Sequence, residues 1–223
     1  MSRPTLFQTG DGSHSLQMPD MDETYHSRHG ALAESRYVFI ENGLQQLNPL
    51  PQACRILEIG FGTGLNALLA LQWQKTAGVK VQFTTLEFHP LPSSIVEELN
   101  YPDLIDGADI EEFRILHSCP WGVEINVGTG FSFEKHQADA TKWRGEPLSF
   151  DVIFFDAFAP NYQSEMWGLT MMKKMANLLA PCGIFTTYCA QGQVRRDLKE
   201  AGLTVHRLPG PPGKREMLQA RKV

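Results

Sequence analysis

Arg55-Ile56-Leu57-Glu58-Ile59-Gly60-Phe61-Gly62-Thr63-Gly64-Leu65-Asn66 is a short apolar run that carries a carboxylate near its end and breaks into three glycines spaced two apart. It predicts a buried strand, a tight turn and the start of a helix, the local form of a nucleotide-type cofactor site. Glycines at such positions let the backbone turn and approach a ligand with no Cβ in the way, and the amide N–H groups of the helix start then face that ligand. The spacing is E-x-G-x-G-x-G, whereas a dinucleotide fingerprint is G-x-G-x-x-G. A glycine-rich turn without a ligand has the same local pattern, so the rest of the chain has to decide.

With 223 residues, 42% of them hydrophobic, the chain can bury one sizeable core, which predicts one α/β domain. No basic segment leads into an apolar stretch at the N-terminus, and no apolar run approaches the roughly 18 residues of a membrane span. The expectation is a cytoplasmic protein with no membrane association. Cys54, Cys119, Cys182 and Cys189 are scattered without a C-x-x-C pair and read as small buried hydrophobes, with no metal site expected. The net charge of −5 conceals a polarity: residues 1–170 hold 10 Lys/Arg against 22 Asp/Glu, a balance of −12, and residues 171–223 hold 10 against 3, a balance of +7. Such a chain can present a basic face to nucleic acid in spite of its total, although basic residues also serve simply as a solvated surface.

The N-terminal residues 1–20 are polar, with Pro4, Gly10, Gly12 and Pro19, and predict an irregular or lightly paired arm. Ala33, Tyr37, Ile40 and Leu44 recur at helical spacing over 31–47. Strands are expected at 55–59, 81–86, 152–155, 184–188, 204–208 and 217–220. Helices are expected at 65–77, near 92–99 and 111–117, at 166–179 and at 194–201, and a turn is expected at Pro181-Cys182-Gly183. Between the helices expected at 111–117 and 166–179, 123–127 and 131–136 flank Gly128-Thr129-Gly130 and read as a hairpin whose second strand joins the main sheet. Strand and helix alternate throughout, which predicts a doubly wound, mostly parallel α/β sheet with ligands beyond the carboxyl ends of its strands. The N-terminal arm and helix take up residues 1–50 and the α/β sheet residues 51–223; that the first closes over a site in the second is what the family resemblance set out below implies.

Three acids fall at those carboxyl ends. Glu87 lies 27 residues after Gly60 and can accept hydrogen bonds from a ribose diol. Asp139 can accept from an adenine amino group, with Ala140 beside it, and Asp156 ends the next strand. Any one of them could merely cap a turn, but three after a glycine loop point to a cofactor site. Asp156-Ala157-Phe158-Ala159-Pro160 is similar to the D/N-P-P-Y loop with which many methyltransferases receive an amine. An alkyl ammonium has no lone pair, and freeing a lysine-like amine at neutral pH costs roughly 4–5 kcal/mol. A carboxylate at Asp156 can remove that proton or hold the neutral amine in line. Phe158 and Trp167 fit either base stacking or ordinary packing.

The glycine spacing resembles the first motif of S-adenosylmethionine-dependent methyltransferases. Tyr25-His26-Ser27, Gly30-Ala31-Leu32-Ala33-Glu34-Ser35-Arg36-Tyr37-Val38-Phe39, E-I-G-F-G-T-G-L-N, D-A-F-A-P-x5-M-W, V-R-R-x-L-x-x-A-G and P-G-K-R-E-M-L follow in order from about Asp22 to Ala220. Together they resemble the methyltransferase component of the bacterial enzymes that finish 5-methylaminomethyl-2-thiouridine at the tRNA wobble position. The resemblance implies a Rossmann-like class I methyltransferase with an inserted hairpin and a terminal antiparallel strand. It also implies methyl transfer from S-adenosylmethionine to the aminomethyl nitrogen of uridine 34. Glu58, Gly60, Gly62, Gly64, Asn66, Glu87, Asp139 and Ala140 would then serve the cofactor, and Asp156 the amine. Tyr25 and Phe158 would lie near the base, and Arg195, Arg196, Lys214 and Arg215 near the tRNA anticodon loop. His26 and His29 are either pocket residues or solvated turn histidines. The best-known members are fused to a flavin-dependent oxidoreductase with no counterpart in this sequence. The expectation is a stand-alone form needing no FAD, no metal and no obligate protein partner. Arg195 and Arg196 also fit a solvated helix face. A small-molecule amine methyl- or aminopropyl-transferase and a non-catalytic binding module are the alternatives.

Overall fold

The computed structural model describes residues 3–19 and 23–223; Met1, Ser2, Asp20, Met21 and Asp22, which include the start of the expected arm and of the family resemblance, lie outside. The first strands, β1 (Thr5–Gln8), β2 (His14–Met18) and β3 (Glu23–Thr24), pair antiparallel as a small sheet. Of the two forms expected for the arm, irregular or lightly paired, this is the paired one. Its cause is a polar turn: Asp11 Oδ1 accepts from Ser13 N at 3.1 Å and from Thr9 Oγ1 at 2.8 Å, while Asp11 Oδ2 accepts from Ala33 N at 2.8 Å. Leu16 and Met18 are buried beneath it.

The helical pattern after residue 31 is not one helix. α1 (Ala31–Ser35) runs into a π-helical segment over Arg36–Glu41, and a 3₁₀ turn follows at Leu44–Gln46. A side chain at Gly43 would collide with the Phe39 carbonyl, so the chain keeps a glycine where these two turns meet.

The main sheet is built from β4 (Ala53–Ile59), β5 (Lys80–Glu87), β6 (Ile125–Asn126), β7 (Phe131–Gln137), β8 (Phe150–Phe155), β9 (Leu179–Thr187), β10 (Leu203–Pro209) and β11 (Glu216–Lys222). Between them lie α2 (Leu65–Ala77), α3 (Ser93–Val96), α4 (Tyr101–Leu104), α5 (Ile110–Ser118), α6 (Leu169–Leu178) and α7 (Gly192–Glu200). The strand order is β10-β11-β9-β8-β4-β5-β7-β6. β4, β5, β7, β8 and β9 run parallel, and β11 is antiparallel to both β9 and β10. β6 pairs antiparallel with β7, as the Gly-Thr-Gly hairpin requires. The chain moves outward in opposite directions from the central pair β4 and β8, which opens a crevice at their carboxyl ends.

Both faces of the sheet are covered, which is why β4 and β8 read as continuous apolar runs and not as alternating ones. Ile56, Phe83, Phe133 and Phe154 pack on one side with α2 and α5, and Leu57, Ile153, Phe155 and Phe185 pack on the other with α6 and α7. The expected turn at Pro181-Cys182-Gly183 lies within β9. The pairing of β8 with β9 slips between Phe150 and Val152, and Cys182 takes φ +62°, so the segment is a bulge in a longer strand. Cys182 is exposed, which corrects its reading as a core residue; Cys54, Cys119 and Cys189 are buried.

Candidate active site

A cavity of ≈ 460 Å³ opens at the carboxyl ends of β4, β5, β7 and β8. The turn after β4 forms one wall. Gly60 has φ +92°, and a Cβ there would stand 2.6 Å from the carbonyl oxygen of Asp156, so this glycine allows the turns after β4 and β8 to touch. Gly62, at φ +49°, faces the cavity beneath the ring of Tyr25. Gly64 does not line the cavity. It precedes α2 at φ +74°, and an added Cβ would be 2.5 Å from Nε2 of His117, the nitrogen that bonds the Thr63 carbonyl at 3.1 Å. Burial pulls the His117 pKa down to about 4, which leaves a neutral ring suited to that bond.

Glu87 follows the same turn. Its Oε2 accepts from Gly62 N at 2.9 Å and its Oε1 from His89 N at 2.7 Å, which leaves each oxygen a further acceptor site. Asp139 and Ala140 line the next part of the wall. Asp139 already holds its own turn: Oδ1 accepts from Thr141 N and Oγ1 at 2.9 and 2.6 Å, and Oδ2 pairs with Lys142 at 3.0 Å. These bonds hold its pKa near 2. Glu58 does not reach the cavity. It is fully buried within β4 with Oε2 accepting from Thr85 Oγ1 at 2.6 Å, and burial drives its pKa well up.

Asp156 stands one residue beyond β8. Burial raises its carboxyl to a pKa of about 7; Glu34 adds to the rise, while the Asn66 hydrogen bond and Lys214 oppose it. Asn66, in the first turn of α2, donates Nδ2–H to Asp156 Oδ2 at 2.8 Å. The loop that carries Asp156 is fastened at successive backbone groups. Asp156 N donates to Ile59 O at 2.9 Å, and Phe158 N donates to Gln163 Oε1 at 3.0 Å. Tyr188 Oη donates to Ala157 O at 2.8 Å, and Trp167 Nε1 donates to Phe158 O at 2.7 Å. Trp167 is thus a buried support of the loop, while Phe158 meets Tyr25 edge to face at a centroid distance of 5.0 Å.

The ends of the fold close the other side. Lys214, expected at the rim, sits within the wall: its Nζ lies 2.5 Å from Oε1 of buried Glu34 and 3.8 Å from the centre of the Tyr188 ring. Glu34 Oε2 accepts from Ser27 N at 2.6 Å. His26 is buried on the cavity, where burial lowers its pKa to about 4, whereas His29 is exposed and packs where a side chain on Gly213 would overlap it. Arg215 is exposed and borders, with Lys214, a shallow groove beside the cavity. Arg196 is exposed and bonded to Gln193 at 2.7 Å, Arg195 is partly buried, and neither lines the cavity.

Sequence reasoning missed Tyr188. The available signal was its position, one residue past β9, matching that of Asp156 past β8. Among the described residues no cluster of His, Cys, Asp or Glu is grouped to hold a metal ion, and no helix is long and apolar enough to cross a membrane.

Residues 133–223 match a family model described as S-adenosyl-L-methionine-dependent methyltransferase. The chain is 31% identical over 219 residues to the tRNA 5-methylaminomethyl-2-thiouridine biosynthesis bifunctional protein MnmC of Cupriavidus metallidurans, over 91% of this chain and 32% of that protein. It is 33% identical over 224 residues to the protein of the same name in Pseudomonas aeruginosa, over 88% of this chain and 32% of that protein. The chain therefore spans about a third of the length of these relatives. The crystal structure of MnmC2 from Aquifex aeolicus superposes with a TM-score of 0.82 at 26% identity, covering 99% of this chain and 70% of that one. Spermidine synthase from Thermotoga maritima superposes with a TM-score of 0.57 at 15% identity, over 99% and 73% of the two chains, a likeness of fold alone.

Proposed function

We propose that the chain is an S-adenosyl-L-methionine-dependent methyltransferase that methylates the aminomethyl nitrogen of 5-aminomethyl-(2-thio)uridine at tRNA wobble position 34, a reading supported by its likeness to the family model and to the MnmC proteins. The product is 5-methylaminomethyl-(2-thio)uridine, the macromolecular partner is the tRNA anticodon loop, and the reaction is cytoplasmic. The observation that carries the reading is Asp156, a carboxyl tuned to a pKa of about 7 on a loop braced against the glycine turn.

The cavity fits the cofactor on its own features: a lining at Gly62 where a Cβ would crowd the Tyr25 ring, and a Glu87 carboxylate with acceptor sites to spare. Gly60 and Gly62 would border its amino-acid end, Glu87 its ribose, and Asp139 with Ala140 its adenine. S-adenosylmethionine, when bound, supplies an electrophilic methyl group on a sulfonium. Asp156 receives the substrate amine and takes a proton from its nitrogen, which frees the lone pair. Proton transfer from an alkyl ammonium to a carboxylate of pKa about 7 is roughly 4 kcal/mol less uphill than to an ordinary aspartate. Tyr25 and Phe158 wall the acceptor and exclude water, and Lys214 holds Glu34 and the Tyr188 ring in the same wall.

The test is methyl transfer in vitro from labelled S-adenosylmethionine to tRNA that carries the aminomethyl nucleoside, read by nucleoside mass spectrometry. Conversion of that nucleoside alone is the expected result. Label in free amines or polyamines, with unaltered tRNA, would overturn the proposal in favour of a small-molecule transferase.

A further inference from the structure

We propose that His117, which lies outside the cavity, is a positioning residue for the cofactor: its Nε2–H holds the Thr63 carbonyl turned away from the cavity, so that the glycine turn keeps its amide side toward the amino-acid end of S-adenosylmethionine. This role rests on the cofactor reading of the cavity and is independent of the methyl acceptor. His117 is the penultimate residue of α5, and its Nε2 lies 3.1 Å from Thr63 O. A carbonyl oxygen only accepts, so Nε2 carries the proton; burial keeps the ring neutral, and Nδ1 is therefore unprotonated. Thr63 lines the cavity and His117 does not, so the bond draws the carbonyl to the far side of the turn. The Thr63 N–H has no partner among the described residues, which leaves it to a ligand.

The ring is held in place on every side. Phe61 and Phe113 pack on it at centroid distances of 4.9 and 4.8 Å, and a Cβ on Gly64 would meet Nε2 at 2.5 Å. The helix end behind it is fastened as well: the Lys135 ammonium, buried in β7, donates to Leu116 O at 3.1 Å and to His117 O, and lies 4.6 Å from the centre of the Trp121 ring. Its positive charge also opposes protonation of His117. Such support matters because the turn is glycine-rich. Gly64 sits at φ +74° and glycine takes either sign of φ, so the Thr63–Gly64 peptide can turn over at little cost unless it is held. Its N–H is held by Phe61 O at 2.8 Å and its carbonyl by His117. A carbonyl turned inward would set its negative end against the carboxylate at the amino-acid end of the ligand.

Two amide substitutions separate reach from packing. His117→Gln puts an N–H near the position of Nε2, whereas His117→Asn carries the same amide one carbon short, and both lose the ring contacts. His117→Asn should weaken S-adenosylhomocysteine binding by about 10-fold in calorimetry and raise the KM for S-adenosylmethionine by more than it lowers kcat, with whichever amine the wild type accepts. His117→Gln should recover most of both. Equal affinities in the two variants, or wild-type affinity in His117→Asn, would overturn the proposal and leave His117 a packing residue. A wild type that binds no S-adenosylhomocysteine would instead overturn the cofactor reading, and this role with it. If His117→Asn does not fold, nitrogen-15 NMR of the wild type decides: His117 should be the neutral Nε2–H tautomer, and that proton should exchange more slowly with S-adenosylhomocysteine bound. An Nδ1–H tautomer, or exchange that the ligand leaves unaltered, would overturn the proposal.

Discussion

In the folded chain Asp156 loses most of its water and gains one amide donor, so it ionises only near pH 7, well above its ordinary value of 3.8. Between those two pH values the folded state binds more protons than the unfolded state, and stability falls as pH rises across the window. The penalty is complete above about 7. Asp156→Asn should therefore slow methyl transfer by about 10²–10⁴-fold and at the same time raise the melting temperature at pH 8 but not at pH 4. Thermal unfolding at the two pH values checks this, and an unchanged or lower melting point at pH 8 would count against the buried carboxylate. Asp156 was legible in the sequence because it follows an apolar strand and opens D-A-F-A-P. Tyr188 was not, because its bond to Ala157 spans 31 residues and exists only once β8 and β9 are neighbours. Glu58 was legible as a motif residue, but its place behind the cavity depends on β5 supplying Thr85 in register.

At the scale of elements, the glycine turn is a joint between two strands. Gly60→Ala would press a methyl group against the Asp156 carbonyl at an unfavourable positive φ, costing about 1–3 kcal/mol in stability as well as cofactor affinity. Gly62→Ala, whose nearest neighbour is the side chain of Tyr25 at 3.2 Å, should lose more in S-adenosylhomocysteine affinity than in stability. Urea unfolding beside calorimetry separates the two, and equal stability losses would refute the distinction. The parallel strands and α2 were readable because burial on both faces leaves long apolar runs bounded by glycines. The small N-terminal sheet was not, since its turn rests on Thr9, Asp11 and Ser13 bonding one another and Ala33. The bulge in β9 was hidden for a related reason: Pro-Cys-Gly signals a turn locally, and only pairing with β8 and β11 keeps the segment in the sheet.

Over the whole molecule, much of the positive charge of residues 171–223 has internal employment. Lys174 and Lys222 bond backbone carbonyls, including Ala140 and Ala176, while Lys173, Arg207 and Lys214 pair with Glu200, Glu216 and Glu34. The two neighbours in the Pro-Gly-Lys-Arg loop should therefore separate. Arg215→Ala should weaken tRNA binding and flatten its salt dependence at unchanged kcat, whereas Lys214→Ala should lower kcat at saturating tRNA with the salt slope unchanged. Titrations at several ionic strengths test the pair, and an identical effect of both changes would contradict it. S-adenosylhomocysteine at 100 times its Kd should stabilise wild type and both variants by about 2.7 kcal/mol, while NAD should give no shift. The wall around Asp156 is made where distant segments meet, Lys214 with Glu34, and neighbouring contacts join the same segments, Gly213 with His29 and Gln219 with Asn42 across 177 residues. On the ribosome, the turn between β4 and α2 emerges long before residues 211–221. A growing chain can thus shape its nucleoside half early, but Asp156 gains its facing lysine only after the loop before β11 has been made, so a chain halted short of that loop does not present a completed acceptor pocket.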